Sequence, residues 1–262
     1  MRSRTINCRR NRSFDLNQIL GDWPHEPGQI KVRKVAGLDG REKLQLRIDL
    51  GVIQMEMNGR PDGTRPKGCE SLLSYHQQKS KQQSAEGGKY ELSADDCGEL
   101  QQEGIQYYHR YLALYQLKEY DAVIRDTQRN LDLFSFVTEH VERDEMAMAF
   151  QQFRPYVLMM NTRAKAAQEL DNDNYGAAIR HIEKGREAIL DFYKTSGHPE
   201  AAAESAELSF LDDLLEEVRS KRPLTKIEKL RQELDTAVAN EAYERAAQLR
   251  DAIRALEQNP AS

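Results

Sequence analysis

The C-terminal part of the chain carries two short apolar stripes at helical spacing, and this pattern restricts the fold more than any other feature. Apolar residues three and four positions apart lie along one side of a helix. The first stripe consists of Leu224, Ile227, Leu230, Leu234, Ala237 and Val238. The second consists of Tyr243, Ala246, Ala247, Leu249, Ile253 and Leu256. A break at Asn240 and Glu241 separates the stripes, and adjacent alanines allow two backbones to approach closely, so the sequence predicts a tight antiparallel helical hairpin.

The start of this hairpin has a signal of its own. Thr225 and Glu228 have the spacing of a capping box, in which a hydroxyl and a carboxylate each satisfy a free backbone N–H, so we expect the first helix to begin near Pro223. Two short helices bury too little apolar surface to be stable alone. The hairpin must therefore pack on its own domain as a last helix pair, on a second copy, or on a related hairpin.

The same residues resemble a known motif. The runs 233–235, 237–241, 243–247 and 249–251, together with Ile253, are similar to a UVR motif. This motif is shared by the excinuclease subunits UvrB and UvrC, by the Clp-type ATPase ClpC and by its regulatory partner McsA. The resemblance implies that proteins associate through the hairpin. One departure is Ala242, where the family more often has an acidic residue; it affects charge-based choice of partner and leaves the apolar stripe intact.

The stripes and the resemblance together define a set of candidate partner-binding residues. We expect them to form either the contact with another protein or the seam of the hairpin itself. They are Leu230, Leu234, Val238, Tyr243, Ala246, Ala247, Leu249, Arg250 and Ile253. The expected partner is a protein with a UVR-type hairpin or a second copy of this chain.

Composition indicates a protein with a large polar surface. The 262 residues are 31% charged, and the mean hydropathy is -0.78. No apolar run reaches membrane-spanning length, and no apolar segment follows the basic start as a signal peptide requires, so we expect a cytoplasmic protein that contacts no membrane. The net charge of -5 gives the molecule as a whole no electrostatic attraction for nucleic acid.

The first 13 residues are an exception to this acidity, because they contain five arginines and no acidic residue. The arginines are Arg2, Arg4, Arg9, Arg10 and Arg12. The favoured interpretation is a basic disordered arm over residues 1–13, or a start codon placed too far upstream. The alternative is weak, salt-sensitive contact with phosphates, which is the one form of direct nucleic-acid binding that the sequence indicates.

Cysteine and histidine patterns predict neither a metal site nor a cofactor. Cys8, Cys69 and Cys97 form no Cys-x-x-Cys pair, whereas McsA-like proteins carry paired cysteines ahead of the hairpin. The six histidines are dispersed, and no serine or cysteine nucleophile motif is present. We therefore expect no catalytic residue, no metal, no cofactor and no enzymatic activity.

Residues 14–76 are predicted to form a small β-containing segment. Three alternating apolar runs, around Val32, from Leu44 to Leu50 and from Ile53 to Met57, favour an antiparallel three-stranded meander. The sequence from Arg60 to Gly63 is typical of a tight turn. Parts of this segment, from Asp49 to Gly63, resemble the front half of bacterial UVR-motif proteins whose function is not established.

The loop from Gly59 to Gly68 is a candidate anion-binding site. Arg60, Arg65 and Lys67 lie among glycines there, a composition that offers guanidinium and backbone N–H groups to an anion. The alternative, which we favour, is a solvated connector. The loop has neither the glycine spacing nor the strand-to-helix context of a P-loop.

Beyond this loop the chain is predicted to be helical. A polar linker is expected over residues 77–92 and a helical-hairpin domain over 93–222, beginning with a capping box of Ser93 and Asp96. The UVR hairpin follows at 223–258. One long helix is expected through Met146–Ala167 with a kink at Pro155. The predicted fold class is therefore mainly α, with a small N-terminal β-meander.

A short sequence pattern that occurs three times indicates how the helices are arranged. Tyr120, Tyr175 and Tyr243 each open a helix and are followed by small or branched residues three and four positions later. This is similar to the second helix of tetratricopeptide-type units, although the spacing between the three copies is not the constant 34 residues of that family. We expect stacked helical hairpins that offer a concave surface to a peptide or helix.

These observations favour a non-enzymatic adaptor that binds proteins through the C-terminal hairpin. A second hypothesis is an accessory factor of nucleotide excision repair that recruits UvrB or UvrC at DNA, with the basic arm touching the DNA. A third is a regulator of a Clp-type protease or chaperone system. An enzyme centred on the 59–68 loop is the least favoured alternative.

Overall fold

The computed structural model describes residues 16–258, and in this range the chain divides between Leu214 and Leu215 into two compact units. The first unit contains a three-stranded sheet and most of the helices, and the second contains the C-terminal hairpin. The mainly helical fold class predicted from the sequence is confirmed. The predicted arm at 1–13 lies outside the described residues.

The sheet is the antiparallel meander that the alternating runs predicted. A four-residue helix, α1 (Asn17–Leu20), precedes strands β1 (Lys31–Ala36), β2 (Glu42–Ile48) and β3 (Gly51–Glu56), which pair in the order β1-β2-β3. In the register, Leu44 faces Met55 and Leu46 faces Ile53. Because residues two apart share a face of a strand, these pairs bring the apolar side chains to one side, where Leu44, Leu46 and Met55 are buried.

Seven further helices belong wholly or partly to the first unit. They are α2 (Leu72–Ala85), α3 (Ala94–Gln116), α4 (Tyr120–His140), α5 (Asp144–Gln151), α6 (Arg154–Asp171), α7 (Tyr175–Thr195) and α8 (Ala206–Lys221), which crosses the division between the units. Short 3-10 turns lie at Pro66–Gly68 and Pro199–Glu204. Helix α3 packs on α4, α4 on α6, and α6 on α7, so these four helices form the expected stack. Strands β1 and β2 contact α3.

The sequence pattern that recurs at Tyr120, Tyr175 and Tyr243 corresponds to the same type of turn in all three places. Lys118, Asp173 and Glu241 each lie two residues before the tyrosine and adopt a left-handed conformation, with φ of 59°, 57° and 56°. In all three turns the next residue donates its N–H to a carbonyl five residues earlier, as Glu119 does to Leu114 at 3.0 Å. This is the Schellman motif, which satisfies carbonyls left free at a helix end. The stack and the C-terminal hairpin thus use the same connection between helices.

The structure corrects the predicted long kinked helix. Residues 144–171 form two helices, α5 and α6, separated by Gln152 and Phe153. Pro155 lies in the first turn of α6. Proline lacks an N–H, and the first turn of a helix requires none, so the residue marks a new helix start instead of a kink.

The predicted linker at 77–92 is also corrected, because α2 continues to Ala85. Side-chain contacts explain the difference: Ser80 Oγ lies 2.7 Å from His140 Nε2, and the Leu92 N–H donates to the His140 carbonyl at 2.8 Å. The end of α4 thus holds both parts of the segment, and Leu92 is buried. These contacts involve residues distant in the sequence, so a polar composition could not reveal them.

A buried histidine next to this segment makes the stability of the fold dependent on pH. His76 is buried, and its Nδ1 lies 2.6 Å from the Tyr90 hydroxyl. Burial lowers the pKa of His76, so the unfolded chain binds a proton more readily than the folded chain does. The stability that the neutral ring contributes is present above its unfolded pKa of about 6.5 and is lost as the pH falls through the lower folded pKa.

We therefore expect the free energy of unfolding to decrease between pH 7.5 and pH 5, and His76→Gln to make that decrease smaller. Burial lowers the pKa of His109 and His181 in the same direction, so part of the pH dependence should remain in the variant. Urea titrations at several pH values measure the effect. An identical pH dependence in wild type and variant would show that His76 does not contribute.

Candidate functional site

The C-terminal hairpin consists of α9 (Lys226–Ala239) and α10 (Tyr243–Gln258). Its predicted capping box is present: the Glu228 N–H donates to Thr225 Oγ1 at 3.2 Å, and the Thr225 N–H donates to Glu228 Oε2 at 2.7 Å. The hydrogen bond from Arg222, together with those from Thr225, lowers the pKa of Glu228 to about 2. The carboxylate is therefore ionised at neutral pH and holds the start of α9 in place.

A small apolar seam joins the two helices. Ala237, Ala246 and Leu249 are buried against one another, with the half-buried Leu230 and Leu234 packed beside them. Ile253 is also buried. Small side chains at Ala237 and Ala246 allow the backbones to come close, which is the packing that the paired alanines predicted.

The structure divides the nine candidate partner-binding residues into two groups. Five are half-buried or buried and belong to the inner side of the hairpin: Leu230, Leu234, Ala246, Leu249 and Ile253. The other four are exposed: Val238, Tyr243, Ala247 and Arg250. We call this second group the outer set. The exposed fraction is 53% for Val238 and 69% for Tyr243.

Two exposed ion pairs connect the two helices of the hairpin. Arg231 Nη2 lies 2.8 Å from Glu257 Oε1, and Arg245 Nη2 lies 3.3 Å from Glu233 Oε2. Both pairs are exposed and contribute little stability, but they join the helices at two points along the seam. A groove of about 610 Å³ runs beside the second pair and includes Ala242 in its lining. The acidic side chain more usual at that position is therefore missing from this groove.

Comparison with known families agrees with this geometry. The family model described as "UvrB/uvrC motif" matches residues 225–259. The C-terminal hairpin is a UVR motif. The match begins at the capping residue Thr225 and includes both helices of the hairpin. A search of curated proteins and a search of solved structures gave no match. The chain is therefore a UVR-containing protein, and the motif supports an interaction role.

The three candidate anion-binding residues of the 59–68 loop do not converge on one cavity. Arg60 is directed toward carboxylates, with Nη2 3.3 Å from Asp62 Oδ2 and Nε 3.4 Å from Glu103 Oε2. Arg65 and Lys67 are exposed and line separate depressions, of about 250 and 440 Å³, that share only Arg60. The predicted turn from Arg60 to Gly63 is present, with the Gly63 N–H donating to the Arg60 carbonyl at 2.9 Å.

Sequence reasoning missed a buried ion pair that joins the sheet to the stack. Arg110 Nε lies 2.6 Å from Asp126 Oδ2 and Arg110 Nη2 lies 2.8 Å from Asp126 Oδ1, and both side chains are buried. Arg110 Nη1 donates to the carbonyls of Glu56 and Gly59, at 3.1 and 2.7 Å. The sequence did contain one indication of this pair. Arg110 lies at helical spacing from Tyr107, Tyr111 and Leu114 on the buried side of α3, where a charged side chain needs a partner.

A second buried carboxylate continues the network. Glu103 accepts the N–H groups of Leu72 and Leu73, at 2.8 and 3.2 Å, and so caps the start of α2. It also pairs with Arg129. Burial, with a smaller contribution from the charge of Arg60, lowers the pKa of Arg129 to about 9. The network holds the 59–68 loop, α2, α3 and α4 together, so these arginines act in the fold.

The described residues carry no evident metal centre or disulfide. Among residues 16–258, no group of three or more histidine, cysteine, aspartate and glutamate side chains is arranged to hold a metal ion. Cys69 and Cys97 are free thiols, and Cys97 is buried. In the part of the chain that the structure describes, no helix combines the length and apolar character that crossing a membrane requires.

Proposed function

We propose that the chain is a cytoplasmic, non-enzymatic adaptor that binds a protein partner through the outer set of the UVR hairpin. The partner presents either a UVR-type hairpin or a second copy of this one. The observation that supports the proposal is the division of the candidate residues: the seam is filled from within the hairpin, while Val238, Tyr243 and Ala247 remain exposed. Apolar side chains left in water favour association.

The dimensions of the hairpin support the same conclusion. Its helices span 14 and 16 residues, near the length at which isolated helices are marginal in water. Among the described residues, the buried apolar side chains of the hairpin are few: Ala237, Ala246, Leu249 and Ile253. A partner that covers Val238 and Tyr243 would remove further apolar surface from water and stabilise both helices.

The charge of the hairpin favours a protein over a nucleic acid. Acidic and basic residues are nearly balanced between 225 and 258, and both signs occur along both helices. Binding to phosphates requires a concentration of positive charge, whereas a surface of both signs complements another mixed surface. The alternative hypothesis, an accessory factor of excision repair that contacts DNA, depends on residues 1–13, which lie outside the described part of the chain.

We expect Tyr243→Ala to weaken association about tenfold, since exposed tyrosines that become buried in an interface commonly contribute at this level. The reason is that Tyr243 is 69% exposed and makes no part of the seam. Sedimentation velocity over a concentration series measures self-association, and quantitative capture from cell lysate measures binding to another protein.

Leu50→Ala is the matched control, because Leu50 is a large apolar residue exposed at the turn between β2 and β3. This control should leave both readouts unchanged. Equal association of Tyr243→Ala and wild type in both assays, with unchanged melting, would contradict the proposal.

A further inference from the structure

The stack of the first unit contains a cavity of about 440 Å³ that the UVR hairpin does not contribute to. Side chains from α3, α4, α5 and α6 line it. A volume of this size is within the range of pockets that hold small organic molecules, roughly 300–1,000 Å³. Such pockets are usually lined by apolar and aromatic side chains with a few placed polar groups.

Aromatic rings form most of the wall. Tyr108 lies edge-on to Tyr111, with ring centroids 5.6 Å apart, and its ring is 6.2 Å from that of Tyr156. On the other helices Phe134 and Phe150 form a second edge-on pair, at 6.2 Å. Aromatic side chains such as these favour a further ring in offset-stacked or edge-to-face contact.

Two exposed residues and one small residue of the lining indicate that the cavity is accessible from solvent and is not filled by side chains of the protein. Ile105 and Phe153 contribute to the lining, and they are 48% and 49% exposed. Ala149 of α5 faces the same space with only a methyl group. Apolar surface that is left in contact with water costs stability, and a ligand that covers it recovers that stability.

The polar groups of the lining are all uncharged. They are provided by Gln101, His109, Asn130 and the tyrosines, and the lining includes no Asp, Glu, Lys or Arg. Within residues 16–258 the His109 ring nitrogens have no hydrogen-bond partner, although the ring is partly buried. Burial lowers the pKa of His109, so the ring is neutral at physiological pH and offers one donor and one acceptor.

We propose that this cavity binds a small, uncharged aromatic molecule that carries one hydrogen-bonding group, with its ring between the aromatic side chains and its polar group on His109. A charged ligand would lose its hydration without meeting an opposite charge, which excludes it energetically. The site belongs to the helical stack, and the proposal does not depend on the function of the hairpin.

Binding of N-phenyl-1-naphthylamine, a neutral dye that fluoresces in apolar surroundings, tests this proposal on the full chain. We expect saturable binding by the wild type, and binding at least about tenfold weaker for Ala149→Trp, since an indole occupies the space that the ligand needs. Ala147→Trp is the matched control: it lies on the same helix and is also half-buried, but it does not line the cavity. It should bind the dye like the wild type.

A second variant keeps the test independent of core packing. Ile105→Glu changes an exposed residue at the rim, should melt like the wild type, and should weaken dye binding because it brings a charge to the cavity. The anionic dye 8-anilinonaphthalene-1-sulfonate should bind more weakly than the neutral dye. Absence of saturable binding by the wild type, or equal binding by folded Ile105→Glu, would overturn the proposal, and so would a preference for the anionic dye.

The role of His109 is tested by competition. In the wild type, 1-naphthol should displace the dye at a lower concentration than naphthalene, because only the former can hydrogen bond to the ring. In His109→Phe the difference between the two competitors should disappear while dye binding is kept. An unchanged preference for 1-naphthol in His109→Phe would remove His109 from the site.

Discussion

We expect Asp126→Ala to lower the free energy of unfolding by about 3–5 kcal/mol, the usual effect of removing one partner of a buried ion pair. The carboxylate accepts two hydrogen bonds from Arg110, at 2.6 and 2.8 Å, and both side chains are buried. Without Asp126 the guanidinium would keep the carbonyls of Glu56 and Gly59 and the ring of Tyr107, and its buried charge would have no carboxylate partner. Urea denaturation followed by circular dichroism measures the loss.

Asp132→Ala is the control for this prediction, because Asp132 lies on the same helix and is exposed. We expect it to change the free energy of unfolding by no more than about 0.5 kcal/mol. The double variant Arg110→Met/Asp126→Leu should recover part of the stability lost in Asp126→Ala, since it leaves no buried charge without a partner; Arg125, the second partner of Asp126, is partly exposed to solvent. Equal losses for Asp126→Ala and Asp132→Ala would show that the pair does not hold the sheet and the stack together.

The second large effect is expected from two adjacent alanines of the hairpin. Ala246 is 5% exposed and lies in the seam, whereas Ala247 is exposed and belongs to the outer set. Ala246→Glu would place a carboxylate in the apolar seam between Ala237 and Leu249, and burying a charge among apolar side chains costs several kcal/mol. We expect the variant to unfold the hairpin and Ala247→Glu to leave it folded.

Amide hydrogen exchange gives the readout for each helix. In Ala246→Glu the amides of α9 and α10 should lose their protection, while those of α3 and α4 in the first unit keep theirs. In Ala247→Glu the protection of all four helices should match the wild type. Protection of α9 and α10 that is equal in both variants would show that the seam is not where the structure places it.

Much of the fold followed from short-range signals in the sequence. The capping boxes at Ser93 and Thr225 depend only on residues three positions apart, and both are present. The helix starts at Tyr120 and Tyr175 could be predicted because the same sequence pattern occurs at both. The left-handed turn that precedes each tyrosine was recognised only in the structure. Strand alternation predicted the meander because the apolar side chains of the strands, such as Leu44, Leu46 and Met55, share one face of the sheet.

Features that depend on distant contacts could not be predicted in this way. The pairing of Arg110 with Asp126 joins two helices, and the extension of α2 depends on His140 at the end of α4. Helical periodicity also could not separate the seam of the UVR hairpin from its outer set, since Ala246 and Ala247 are neighbours in the same stripe. The second helix had to be placed against the first before either alanine could be assigned.

The most direct test of partner binding by the outer set compares the wild-type protein with Ala247→Glu. Partners captured by each from native lysate are quantified by mass spectrometry, and sedimentation of each purified protein measures self-association. We predict that Ala247→Glu keeps a protected hairpin and loses the partner, or the self-association, that the wild type shows. Capture and sedimentation that are the same for both proteins would mean that the outer set binds no protein, and the adaptor proposal would then be wrong.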